Sequence, residues 1–143
     1  MVDWKTLVIA IGSEWAPDGA VGREVLQVDA GGGFRYEHRH QGEVSATGGV
    51  LDATMLAALA ADLKEAGFPV LPQQNIPPGS SLMEIRRSDD AGSQSVWLDY
   101  HAAMQLPGYR ELCVRFESWT KALRAGGVTQ LAGERTVLSS REP

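Results

Sequence analysis

With 143 residues, 43% of them hydrophobic and 22% charged, the chain has the size and composition of one folded domain, not of a disordered segment. Thirteen Lys and Arg against eighteen Asp and Glu give a formal charge of −5, which works against contact with a phosphate backbone and excludes nucleic acid from the expected partners. The one cysteine, Cys113, cannot close an intramolecular disulfide, and a domain of this length buries roughly two-thirds of its unfolded surface without a staple.

The first element is Leu7-Val8-Ile9-Ala10-Ile11, apolar on both faces of a strand and too short for a membrane span. Asp3 and Lys5 precede it in place of a basic n-region, so no signal peptide is expected and the expected compartment is the cytoplasm, without membrane contact. Gly12-Ser13-Glu14-Trp15-Ala16-Pro17-Asp18-Gly19 supplies turn residues. Residues 24–28 form a second strand with Leu26 and Val28 inward. The turn Asp29-Ala30-Gly31-Gly32-Gly33 feeds a third strand, 34–43, in which Phe34, Tyr36, His38 and His40 share one face while Arg35, Glu37 and Arg39 share the other.

A helix follows. Asp52 is its N-cap, Leu51 and Leu56 form a hydrophobic staple, and Leu56, Leu59 and Leu63 make the apolar stripe with Ala60 between them. Gly67 ends it, followed by Phe68 and Pro69. Residues 70–81, with Ile76-Pro77-Pro78-Gly79, read as a surface connection. A second hairpin joins residues 82–87 and 95–101 across 88–92. Pro107 then opens a last helix, where Tyr109, Leu112, Phe116, Trp119 and Leu123 recur at intervals of three and four. Cys113 falls inside this pattern as a small buried thiol. Gly126-Gly127 stops the helix, and residues 127–143 are expected to form a loosely packed or flexible tail beyond a domain of residues 1–126.

The order β-β-β-α-β-β-α implies an α+β domain: a mainly antiparallel sheet of about five strands with two helices packed on one face. The layout resembles small bacterial α+β domains of uncharacterised function through Leu26-Gln27-Val28-Asp29, Gly48-Gly49, Ala66-Gly67-Phe68 and Leu106-Pro107. Through Gly32-Gly33-Phe34 and its strand-helix-strand plan it is also similar to the emfourin-type protease inhibitors, which implies inhibition of a protease. In those chains the glycine segment lies near the N-terminus, whereas here it follows two strands, and no functional residue is carried over.

Enzymatic motifs are missing where the residues for them exist. Gly31-Gly32-Gly33 leads into a strand and not a helix, and no Gly-Lys-Ser/Thr accompanies it, so it reads as a hairpin turn and not a phosphate cradle. Gly12-Ser13 and Gly79-Ser80-Ser81 do not form a Gly-x-Ser-x-Gly elbow. Glu14 with Asp18, and Asp89 with Asp90, read as solvated turn carboxylates. The leading expectation is a non-catalytic protein-binding domain of bacterial type, an inhibitor or immunity-like protein, with no enzyme activity and no cofactor.

Its expected contact surface combines Trp15, the hairpin with Phe34, His38 and His40, and the loop with Ile76, Pro77 and Pro78; Trp97 is expected on the uncovered sheet face. A second reading makes the chain a metal- or small-ligand-binding protein. His38 and His40, two apart on one strand face, would join His101 and Asp99 around zinc or non-haem iron. A third makes it a homo-oligomer through an exposed strand edge or the face around Trp97.

Overall fold

The computed structural model describes residues 2–17, 19–71, 76 and 81–124, and the backbone of 128–132 and 135–138. The strands are β1 (Thr6–Ile11), β2 (Arg23–Asp29), β3 (Gly33–His40) and β4 (Glu43–Leu51). Helix α1 (Ala53–Ala66) follows, then β5 (Leu82–Asp89), β6 (Gly92–Asp99), the short helix α2 (Tyr100–Ala103) and helix α3 (Tyr109–Arg124). Past α3, in the span expected as a tail, the backbone forms β7 (Val128–Ala132) and β8 (Arg135–Leu138).

The strands lie in the order β6-β5-β1-β2-β3-β4-β7-β8. The first six are antiparallel throughout, and β7 joins β4 in parallel through Val50↔Gln130 and Leu51↔Leu131. The fold is thus the expected α+β domain, with α1 and α3 packed together against one sheet face. The antiparallel part has six strands. The additional one is β4, because the third strand does not run on to Glu43 but turns at Gln41-Gly42, both at positive φ (51° and 86°), the twist of a type I′ hairpin.

The register shows why one face is covered. Val96, Ile85, Ile9, Leu26 and Tyr36 form a single row across five strands, and all are buried. Onto this row come Met55, Leu59 and Leu63 of α1 and Leu112, Cys113, Phe116, Trp119 and Leu123 of α3. Each fully buried side chain of this kind contributes about 1.5–3 kcal/mol relative to exposure, which makes this layer the main source of stability.

Helix α1 has the ends its sequence specifies, and α3 has a capped start; Gly126-Gly127, expected to stop α3, lie outside the described residues. Asp52 Oδ1 accepts from Met55 N at 2.9 Å, and Gly67, at φ 77°, donates its N–H to the carbonyls of Leu63 and Lys64. Glu111 Oε1 accepts from Gly108 N at 2.8 Å at the start of α3.

Three polar contacts cross this layer. Arg115 Nε and Nη2 reach the two oxygens of buried Asp62 at 2.8 and 3.4 Å, fastening α3 to α1. Glu24 accepts from the Tyr36 phenol at 2.7 Å and from Arg124 at the end of α3. Burial first, and the Glu24 contact second, push the Tyr36 phenol well above its ordinary range. Cys113 lies with its Sγ 3.3 Å from Met83 Sδ, and burial pushes its thiol up to about 12. At neutral pH it is a packed thiol and not a thiolate nucleophile. Among the described residues no helix is long and apolar enough to cross a membrane.

Candidate functional site

The sheet face opposite the helices carries a row of Trp97, Glu84, Ala10, Val25 and Glu37. Strand alternation dictates it: Leu98 points to the core and Trp97 away from it, so the indole is 46% exposed while Leu98 is buried. Two arginines hold each carboxylate of the row. Glu84 receives Arg23 Nη2 at 3.2 Å and Arg86 Nη2 at 2.6 Å; Glu37 receives Arg39 Nε at 2.7 Å and Arg35 Nη2 at 3.3 Å. The Arg39 hydrogen bond, joined by that of Arg35, holds the Glu37 carboxyl below the usual carboxylate range. These carboxylates are anchors for arginines.

At one end of this face a groove of about 360 Å³ is lined by Gly12, Ser13, Glu14, Arg23, Leu82 and Trp97. The next residue in the chain after its Glu14 wall is Trp15, whose side chain is 72% exposed. The groove therefore sets Trp97 beside Gly12, Ser13 and Glu14, the turn that leads into Trp15.

The loop that presents Trp15 is tied down at many points, and the histidines do much of the tying. His40 Nε2 lies 3.0 Å from the Ala16 carbonyl and 3.3 Å from that of Pro17, and His38 Nε2 bonds the Val21 carbonyl. A carbonyl only accepts, so both Nε2 atoms carry hydrogen and donate. Gln41 adds its backbone N–H to Glu14 O at 2.7 Å and its side-chain amide to Ala16 O at 3.0 Å. Gly12 and Gly22 close the loop at its base: a Cβ on Gly12 would stand 2.1 Å from Gly22 O, and both have φ above 90°. Trp15 N donates to Ser13 Oγ at 3.3 Å.

This geometry answers the metal reading residue by residue. His38 and His40 share a strand face as expected, but each spends its Nε2 on a loop carbonyl and has no lone pair there for a metal. His101 is not on a strand. The second hairpin strand stops at Asp99, whose Oδ2 accepts from Ala102 N at 3.0 Å and caps α2, on which His101 sits exposed. Between β6, which leads into α2, and β3 lie three strands, a separation of about 19 Å at the usual strand spacing. Among the described residues no three His, Cys, Asp or Glu side chains form a group able to hold a metal ion.

The expected contact residues separate as well. Trp15 is on the surface with His38 and His40 directly beneath its loop. Phe34 is 6% exposed and belongs to the core, because its strand face is the one the helices cover; it is removed from the contact surface. Ile76 is exposed, and Pro77 and Pro78 lie outside the described residues. The arginine–glutamate ladder was not among the expected site residues, although its signal stands in the sequence as Arg35-x-Glu37-x-Arg39 and Glu84-x-Arg86. The approach of Trp97 to the turn Gly12-Ser13-Glu14 has no local signal, since it depends on the strand order. The chain matches no protein-family model and no curated protein sequence.

Proposed function

We propose that this chain is a non-catalytic protein-binding domain, of the inhibitor or immunity type, that docks its target on the corner carrying Trp15 and Trp97. The observation supporting this most is Trp15: a largely exposed indole on a loop held by His38, His40 and Gln41. Exposing an indole is unfavourable, and fixing its loop costs chain entropy; both are offset when a partner buries a surface already in its bound shape. Tryptophan and arginine are also the residues that most often dominate binding energy, and Arg23 lines the groove beside Trp97. The acid–base candidates support the non-enzymatic side of the reading, since Glu84, Glu37, His38 and His40 are occupied in structural contacts.

The test is capture of a partner from the source cell by the immobilised chain, followed by titration of that purified partner. Trp15→Ala is expected to weaken binding by about 30-fold or more, the effect of losing a hot spot of at least 2 kcal/mol. Val114→Ala, at an exposed position on α3, is expected to leave it unchanged. An inhibitor additionally abolishes its partner's activity at a one-to-one ratio. Equal affinity of wild type and Trp15→Ala would remove this corner as the docking site.

A further inference from the structure

The uncovered sheet face is layered in charge. Glu37 is flanked on β3 by Arg35 and Arg39, Glu84 is flanked on β5 by Arg86, and Arg23 reaches Glu84 from two strands away. The carboxylates lie beneath and the guanidiniums above. The side chains of Glu84 and Glu37 are 6% and 20% exposed, those of Arg86 and Arg35 50% and 60%. A body approaching this face therefore meets cations, although the chain as a whole carries −5. The register spreads these cations into a patch. Arg86, Val8, Gln27 and Arg35 form one row across four strands, which sets Arg86 and Arg35 about 14 Å apart at the usual strand spacing. Arg23 and Arg39 face each other directly on β2 and β3, a like-charge pairing that costs a sheet stability. Of the N–H donors on each guanidinium, Arg35 and Arg86 each give one to their glutamate.

We propose that this arginine patch receives the carboxylates of an acidic surface on the partner protein, an inference that rests on the docking reading above and names the chemistry of its partner. Arginine pairs with a carboxylate through two parallel N–H···O bonds, and a fork already held by a glutamate loses less freedom when a partner binds it. The covered glutamates thus order the guanidiniums and leave their outer edges unspent. The patch is continuous with the Trp15 corner. Arg23 lines the groove there, and Arg39 Nη1 stands 4.0 Å from Glu14, the residue before Trp15. Charge complementarity favours a protein over a nucleic acid. The patch is small, and the rest of the chain is more acidic than its total of −5. A duplex would run off the patch onto that acidic remainder, whereas a folded protein confines its carboxylates to the area of contact.

Titration of the full chain with a hexaglutamate peptide and, separately, with a DNA duplex tests this, followed by amide NMR shifts at low ionic strength. The wild type is expected to bind hexaglutamate through β2, β3 and β5, to lose that binding as salt is raised, and not to bind the duplex. The double variant Arg35→Gln/Arg86→Gln leaves each glutamate one arginine, Arg39 on Glu37 and Arg23 on Glu84, so it is expected to stay folded by circular dichroism. Its affinity for hexaglutamate is expected to fall about tenfold, the effect of losing two exposed ion pairs at low salt. Arg110→Gln/Lys121→Gln removes the same charge from exposed positions on α3 and is expected to keep the affinity within about twofold of wild type. A wild type that does not bind hexaglutamate, equal weakening by both double variants, or duplex binding that Arg35→Gln/Arg86→Gln abolishes would overturn the proposal. Each of these leaves the docking corner itself standing, because that is judged by Trp15→Ala against the captured partner, and Trp15→Ala is expected to leave hexaglutamate binding unchanged.

Discussion

Replacing Gly108 by alanine is expected to destabilise the chain by about 4 kcal/mol, lowering Tm by roughly 10–15 °C for a domain of this size. Two costs add. Gly108 has φ +83°, a conformation that disfavours any residue with a Cβ by about 1–2 kcal/mol. The larger cost is steric: a Cβ there would stand 2.2 Å from Ala66 N and 2.6 Å from Ala66 Cα. Both are backbone atoms of the last residue of α1, which cannot swing aside as a side-chain tip can. Gly108 is where the start of α3 rests on the end of α1, so relieving the clash means prising apart the two helices that cover the sheet. Gly67 provides the control. It has a similar φ of +77° but nothing within 4 Å of its would-be Cβ, so Gly67→Ala carries only the conformational cost, about 1 kcal/mol. Thermal unfolding of the two variants side by side separates the terms, and equal losses would show that the α1–α3 approach is not as close as described.

Arg115→Ala is expected to cost about 3 kcal/mol, read as a shift of the urea midpoint with the m-value unchanged. The Asp62 side chain is 7% exposed and receives both its close contacts from Arg115. Removing the guanidinium leaves a carboxylate in a low-dielectric layer without its counter-charge. The double variant Asp62→Leu/Arg115→Met is expected to recover to within about 1 kcal/mol of wild type, since an apolar pair of similar volume avoids the desolvation cost altogether. If the single substitution proved as mild as the double, the ion pair would be a surface contact and not a buried fastener between the helices.

The helices were legible in the sequence because their signals are local. Asp52, Leu51 with Leu56, and Gly67 mark the ends of α1 within a few residues of chain, and the cap bonds are made where these residues predict them. The five-residue seam of α3 is buried at every position expected, from Tyr109 to Leu123. The α1 stripe was read less completely: Met55 and Asp62 are buried, while Leu56 is only partly so. Asp62 could not have been foreseen there, because its burial depends on Arg115, 53 positions away.

Strand β4 escaped notice because its composition hides it. Glu43-Val44-Ser45-Ala46-Thr47-Gly48-Gly49-Val50-Leu51 has two glycines and small inward residues, so no apolar alternation announces a strand. The signal that remained was Gln41-Gly42, a pair suited to a type I′ turn. The second hairpin is longer than expected on its turn side because Asp89 Oδ1 accepts from Ala91 N at 2.8 Å. This condenses what read as a five-residue loop into two residues.

The candidate site was legible in its parts and not in its arrangement. Exposure of Trp97 follows from alternation with Leu98, and Trp15 stood out as a tryptophan among turn residues. The role of His38 and His40 needed three dimensions. Their shared strand face is a local fact, but what that face meets is the loop from the preceding hairpin, 17 to 24 residues earlier. Chemistry inferred from the spacing of two histidines gave way to mechanics: they hold the loop that carries Trp15.

The measurement bearing most directly on this account is amide hydrogen exchange of the chain with and without its captured partner. Added protection is expected in the loop around Trp15 and along β6 at Trp97, with α1 and α3 exchanging as they do in the free chain. Protection confined to the outer surfaces of α1 and α3, with the Trp15 loop unchanged, would contradict it.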